Sequence, residues 1–131
     1  MVAPLLTPEE QMELGLDEEA SLCQHAGLAF GAFPVPDRSV PSQHAEAERL
    51  IAEIVEALNA GKHVAIHCRM GIGRSAMITA AVLITLGETP ERALASMEAA
   101  RGLPAPDTPE QAQWAAQYAP TGKVVSRTAP G

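Results

Sequence analysis

The chain has 131 residues, a formal net charge of −7, 47% apolar and only 3% aromatic residues, which suits one domain around a single core. An acidic surface argues against nucleic acid or an anionic membrane as the main partner. The longest charge-free run, 75–87, falls short of the roughly 18 residues a membrane span needs, and no basic region followed by an apolar core marks a secretory signal at the N-terminus.

Residues 2–6 read as a short strand. Thr7-Pro8-Glu9-Glu10 forms a capping box with proline at the first helical position, which predicts a brief helix to about residue 14, broken by Gly15. A second short helix is expected over 17–26, ended by Gly27, and the apolar run 28–33 reads as a buried strand. Residues 34–41, with Pro34, Pro36 and Pro41, make a stiff loop. From Ser42, a good N-cap, a helix is predicted to about residue 59. Ala47, Leu50, Ile51, Ile54 and Leu58 share one face, and Glu46, Glu53 and Glu56 turn outward.

Residues 63–67 read as a strand that feeds a glycine-bearing loop, Cys68-Arg69-Met70-Gly71-Ile72-Gly73-Arg74, and then a helix that is apolar all round and therefore buried. Thr89-Pro90-Glu91 starts a further helix that Gly102 closes. Residues 103–107 form a rigid connector, and Thr108-Pro109-Glu110-Gln111 opens the last helix. Trp114 and Tyr118, four residues apart, read as helix packing. Residues 1–119 are expected to form the domain and 120–131 a disordered tail.

Strand, tight loop and helix in that order set a ring of backbone amides and a helix N-terminus around one point, which binds anions. Gly71 and Gly73 let the loop curl into an anion nest. Cys68 at its start would ionise more easily there, and the thiolate is the reactive form. Arg74 at its end offers a planar fork that matches two phosphoryl oxygens. The strand–helix–strand segment from 28 to 67 forms a parallel βαβ unit, so the loops after its two strands share the carboxyl edge of the sheet. That topology brings Asp37 near Cys68.

His67-Cys68, five further residues, then Arg74-Ser75 resembles the signature loop of the cysteine-dependent protein phosphatases, and the two-glycine form is similar to the dual-specificity branch. Phe33-Pro34-Val35-Pro36-Asp37 with Pro41 is similar to the acid loop of that branch. The resemblance implies an α/β fold, a short central parallel sheet flanked by helices, here without the N-terminal strands those phosphatases usually carry. A missing edge would leave the signature strand partly unpaired and invite self-association. It implies hydrolysis of phosphate monoesters on phosphoprotein or small phosphoester substrates, through a cysteinyl-phosphate intermediate and with no cofactor or metal.

By that resemblance Cys68 is the nucleophile and Asp37 the general acid and then base. Arg69, Met70, Gly71, Ile72, Gly73 and Arg74 form the phosphate-binding loop. Ser75 offers its hydroxyl to the departing sulfur, and His67 fixes the loop. Asp107 competes for the acid role on local pattern but fits better as a residue preceding the Thr108 cap. Gln111 either completes a capping box with Thr108 or positions the hydrolytic water. Arg69 reads as a solvent-facing charge, with recognition of highly phosphorylated substrates as the alternative.

His63, His67 and Cys68 do not make a zinc site, because 63 and 67 share one strand face and 68 turns to the other. Cys23 is an apolar filler or a redox partner for Cys68. Two cysteines, one in a reactive setting, fit the reducing cytoplasm. The competing functions are a phosphate- or phosphoprotein-binding module without turnover, a phosphatase acting on inositol phosphates, and sulfur or arsenate transfer on the same loop design.

Overall fold

Two three-residue strands make the registered sheet of the computed structural model, which describes residues 1–69, 73–102, 106 and 108–119. Strands β1 (Val2–Pro4) and β2 (Ala65–His67) run parallel, with Val2 opposite Ala65 and Pro4 opposite His67. The phosphate-loop residues Met70, Gly71 and Ile72, the alternative acid Asp107 and the 120–131 tail lie outside the described residues.

β1 occupies the middle of the sheet. Its odd-numbered residues bond to β2 (Ala65 N–H to Met1 O, Leu5 N–H to His67 O), and its even-numbered residues face residues 29–35. Past the end of β1 Val35 donates to Leu5 O, out of this alternation; within it Val2 donates to Ala29 O and accepts from Gly31, and Phe33 donates to Pro4 O. This is the spacing of a parallel ladder with one rung missing. The rung would be Pro4 N–H to Gly31 O, and proline has no N–H to give. The strand expected over 28–33 is therefore reduced to a single bridge, Val2 with Phe30. Among the described residues no strand pairs with the other edge of β2, where Ala65 is exposed.

Six helices lie among the described residues: α1 (Pro8–Glu13), α2 (Glu19–His25), α3 (His44–Asn59), α4 (Arg74–Thr85), α5 (Pro90–Arg101) and α6 (Pro109–Ala116). α1 has its expected capping box between Thr7 and Glu10. α3 begins one residue later than a Ser42 cap predicts, with Gln43 at the N-cap and no side-chain cap bond. Ala47, Leu50, Ile51 and Ile54 of α3 are buried as the pattern requires; Leu58, one turn further on, is 37% exposed because the helix end runs past the core.

α4 is the central element, packed against β2, α3, α5 and α6. Its buried Met77, Ile78, Ala81 and Val82 join Ala3, Leu5, Val35, Leu50 and Ile54 in one core. Ring stacking closes the α3–α6 side: Trp114 and Tyr118 lie 5.4 Å apart, and His44 of α3 meets both. Among the described residues no helix is long and apolar enough to cross a membrane.

Candidate active site

Cys68 follows β2 directly and Arg74 opens α4, so the seven-residue loop joins the carboxyl end of a strand to the N-terminus of the most buried helix. Gly73, the N-cap, makes no side-chain capping bond, which leaves the first-turn amides of α4 to an external acceptor. The thiol of Cys68 lies 3.5 Å from Ser75 Oγ. Ser75 is fully buried, and its hydroxyl also accepts from Arg101 Nη2 at 3.4 Å.

Arg74 is 2% exposed despite its charge. Its Nη1 donates to Glu10 Oε1 at 2.7 Å, to Val35 O at 2.8 Å and to Leu5 O at 3.4 Å, while Nη2 donates to Glu10 Oε2 at 2.9 Å. Nη2 also approaches Asp37 Oδ1 at 3.5 Å. One guanidinium thus joins the end of β1, helix α1 and the 34–41 loop. Burial works against its charge, and the hydrogen bond and charge of Glu10 outweigh that, so its pKa is raised. Among the described residues its hydrogen bonds run through Nη1 and Nη2.

Glu10 is the residue that sequence reasoning placed elsewhere, as half of a capping box. It fills that role: Oε1 accepts from Thr7 N at 3.1 Å and from Thr7 Oγ1 at 3.2 Å. The same carboxylate also holds Arg74. The Arg74 hydrogen bond is the main cause that lowers its pKa to about 2, against desolvation and with help from Thr7.

Asp37 lies within this cluster with its side chain 63% exposed to solvent. The next residue, Arg38, has φ of 62°, a left-handed conformation that a non-glycine residue rarely adopts. It turns the chain back, and Ser39 N–H closes that turn onto Pro36 O. Gln111 is fully buried. Thr108 caps α6 by accepting from Gln111 N, but the Gln111 side chain donates through Nε2 to Ser39 O at 2.9 Å. It therefore tethers α6 to the Asp37 loop rather than returning to the Thr108 backbone.

His67 Nε2 meets Glu19 Oε2 of α2 at 2.8 Å, which ties the end of β2 to that helix. The other carboxylate oxygen, Glu19 Oε1, is buried without a hydrogen-bond partner among the described residues. Arg69 is half exposed and reaches Glu13 only at 3.6 Å, a surface contact of little energetic weight. Cys23 is a buried free thiol on α2.

A thiol after the end of β2, a buried arginine opening α4 and a carboxylate on a neighbouring loop stand together in an α/β fold of the cysteine-dependent phosphatase type. Residues 2–88 match the family described as "Polymorphic toxin system, DSP-PTPase phosphatase". The chain belongs to this DSP-PTPase family.

Among curated proteins, cyclin-dependent kinase inhibitor 3 of Rattus norvegicus is 30% identical over 92 residues, 69% of this chain and 43% of that protein. The chain thus spans less than half the length of the curated relative it matches. Among solved structures, kinase associated phosphatase (KAP), with serine in place of its catalytic-site cysteine, superposes with a TM-score of 0.80 at 25% identity, covering 87% of this chain and 65% of that one. Tk-PTP in its active form gives a TM-score of 0.73 at 28% identity, covering 86% and 72%.

Proposed function

We propose that the chain hydrolyses phosphate monoesters on protein substrates, phosphotyrosine and phosphoserine or phosphothreonine, through a phosphocysteine intermediate. The thiolate of Cys68 attacks phosphorus in line, forming the S–P bond as the P–O bond to the leaving group breaks. Asp37 gives its proton to the departing oxygen. Arg74 and the amides at the start of α4 hold the three equatorial oxygens, where charge accumulates. Water then attacks phosphorus and yields a proton to Asp37. The S–P bonding pair returns to sulfur, which Ser75 steadies by hydrogen bonding.

The observation that carries this reading is the approach of Asp37 Oδ1 to Arg74 Nη2 at 3.5 Å. It supports the reading because a carboxylate beside the guanidinium is where an acid would meet the leaving oxygen of an ester that Arg74 holds. The kinase associated phosphatase and the other phosphatase relatives support a protein substrate. Two free thiols, one of them the nucleophile, suit a reducing compartment such as the cytoplasm. The edge of β2 left without a partner among the described residues is where a second copy would add, if the chain self-associates.

The test is hydrolysis of p-nitrophenyl phosphate in the presence of EDTA, comparing wild type with Cys68→Ser. Turnover that the substitution abolishes is the expected result. Tight phosphopeptide binding without turnover in the wild type would instead make the chain a binding module.

A further inference from the structure

Ser75 Oγ stands between two groups of different kinds. On one side is Cys68 Sγ at 3.5 Å, and on the other is Arg101 Nη2 at 3.4 Å, reaching in from the last turn of α5. Among the described residues these two are its hydrogen-bond partners. A serine hydroxyl carries one proton and two lone pairs, whereas a guanidinium donates and never accepts. Arg101 therefore occupies one lone pair of Ser75, and the hydroxyl can either accept from a Cys68 thiol at 3.5 Å or, once that thiol is ionised, give its own proton to the sulfur.

We infer that Arg101 is a positioning residue: it orients the Ser75 hydroxyl so that its hydrogen points at the sulfur. The inference rests on the phosphatase reading above and assigns to that site a residue outside the signature loop. The fold supplies the placement. α5 packs along α4 and ends at Gly102, whose left-handed φ of 70° turns the chain away directly after Arg101. The arginine thus sits at the level of the first turn of α4.

The consequence falls mainly on the second chemical step. As water attacks the phosphocysteine, the S–P bond breaks and its electron pair returns to sulfur. The proton released by water goes to the Asp37 carboxylate, and no proton needs to reach sulfur. A hydroxyl already aimed at the sulfur stabilises the negative charge that develops there. A freely rotating one has first to be oriented. A guanidinium on the Ser75 oxygen also makes the hydroxyl a better donor and a poorer acceptor, which favours the thiolate of Cys68 over the thiol.

Four proteins test this: Arg101→Met, which keeps length and removes the donors; Arg101→Lys, which keeps a donor; Ser75→Ala; and the Arg101→Met, Ser75→Ala double variant. With p-nitrophenyl phosphate and rapid acid quench, Arg101→Met should lose roughly tenfold in kcat, the worth of one hydrogen bond to a charged atom. KM should fall in step and phosphocysteine should accumulate, because dephosphorylation becomes limiting. Arg101→Lys should recover most of the rate. In the Ser75→Ala background the Arg101→Met change should have no further effect.

Iodoacetamide alkylation of Cys68 at mildly acidic pH gives a readout that needs no turnover. A tenfold loss of thiolate, partly offset by its higher intrinsic nucleophilicity, leaves alkylation roughly threefold slower in Arg101→Met. The same substitution in Ser75→Ala should not slow it. Equal losses in both backgrounds, or a lower Tm with unchanged alkylation and no phosphocysteine build-up, would make Arg101 a strut between α5 and α4 and overturn the inference. Wild type that alkylates as described yet never hydrolyses the ester would instead overturn the phosphatase reading and leave this one standing.

Discussion

The carboxylate of Glu10 and the guanidinium of Arg74 form a two-pronged buried ion pair, with contacts of 2.7 and 2.9 Å between residues 64 positions apart in the chain. The capping box of α1 fixes the glutamate before it meets the arginine, since Thr7 donates to the same Oε1 through both its amide and its hydroxyl. The arginine is thereby held by a carboxylate that is itself fixed in place.

Glu10→Gln should weaken both stability and turnover. It keeps the shape and removes the charge, so Arg74 stays buried with no full counter-ion, a loss of roughly 3 kcal/mol by analogy with broken buried pairs. Urea unfolding measures the first effect. For the second, kcat/KM on an aryl phosphate should fall more than tenfold as the guanidinium loses its orientation. A variant as stable and as active as wild type would mean that the pair contributes nothing to either.

Acid should remove the same contact without a mutation. The folded-state pKa of Glu10 is about 2, below the ordinary 4.5, so between these values the unfolded chain binds more protons than the folded one. Stability from this group is complete above about pH 4.5 and is lost as pH falls toward 2, roughly 3 kcal/mol in all. Urea midpoints from pH 2.5 to 6 should slope upward in wild type. In Glu10→Gln the slope should flatten, and unchanged slopes would place the acid sensitivity in other carboxylates.

Much of the fold was legible because the deciding signals are local. The Thr7–Glu10 box, the Thr89 and Thr108 caps and the buried character of α4 can each be read from a few adjacent residues. The nearness of Asp37 to the signature loop followed from topology alone. What escaped were second partners. Nothing next to Glu10 announces Arg74, and nothing next to Gln111 announces Ser39 O. A side chain with a satisfied local role gives no sign of a distant one. The strand over 28–33 was misjudged for a related reason, since the missing donor belongs to Pro4, in the neighbouring strand.

Asp37→Asn should separate substrates by leaving group. The side chain sits 3.5 Å from Arg74 and is largely solvent-exposed, so its removal leaves packing and Tm unchanged within error. Loss of a general acid lowers turnover by about 10²- to 10⁴-fold. The fall in kcat/KM, which reports the first step and not the later attack of water, should be large for alkyl phosphates and phosphotyrosine, and small for p-nitrophenyl phosphate, whose leaving oxygen needs little protonation. Equal falls for all substrates would assign Asp37 to binding rather than proton transfer.

Gln111→Leu tests the tether between α6 and the acid loop. The substitution leaves the Ser39 carbonyl without its amide donor inside the protein, at roughly 1–3 kcal/mol. If the amide serves chiefly to hold the loop, kcat/KM should fall for substrates that need Asp37 and hold for p-nitrophenyl phosphate. If it positions the hydrolytic water, phosphocysteine should accumulate with every substrate. Quenched-flow trapping of the intermediate distinguishes the two.

Pro4→Val should complete the sheet. The backbone flanking position 4 already has the geometry of a ladder, because Val2 bonds to both Ala29 and Gly31 and Phe33 donates to Pro4 O. Supplying an N–H at position 4 gives the absent rung, and valine favours the strand while filling a comparable buried volume. Losing proline also frees the unfolded chain, which offsets stability by about 0.4–1 kcal/mol, close to the net worth of one hydrogen bond. Tm should therefore change little, and the informative quantity is hydrogen exchange. The new amide should exchange at least tenfold more slowly than in an unstructured peptide, and the amides of Gly31 and Phe33 should gain protection with it. An amide at position 4 that exchanges at the free rate would mean that residues 29–35 lie beside β1 without forming a strand.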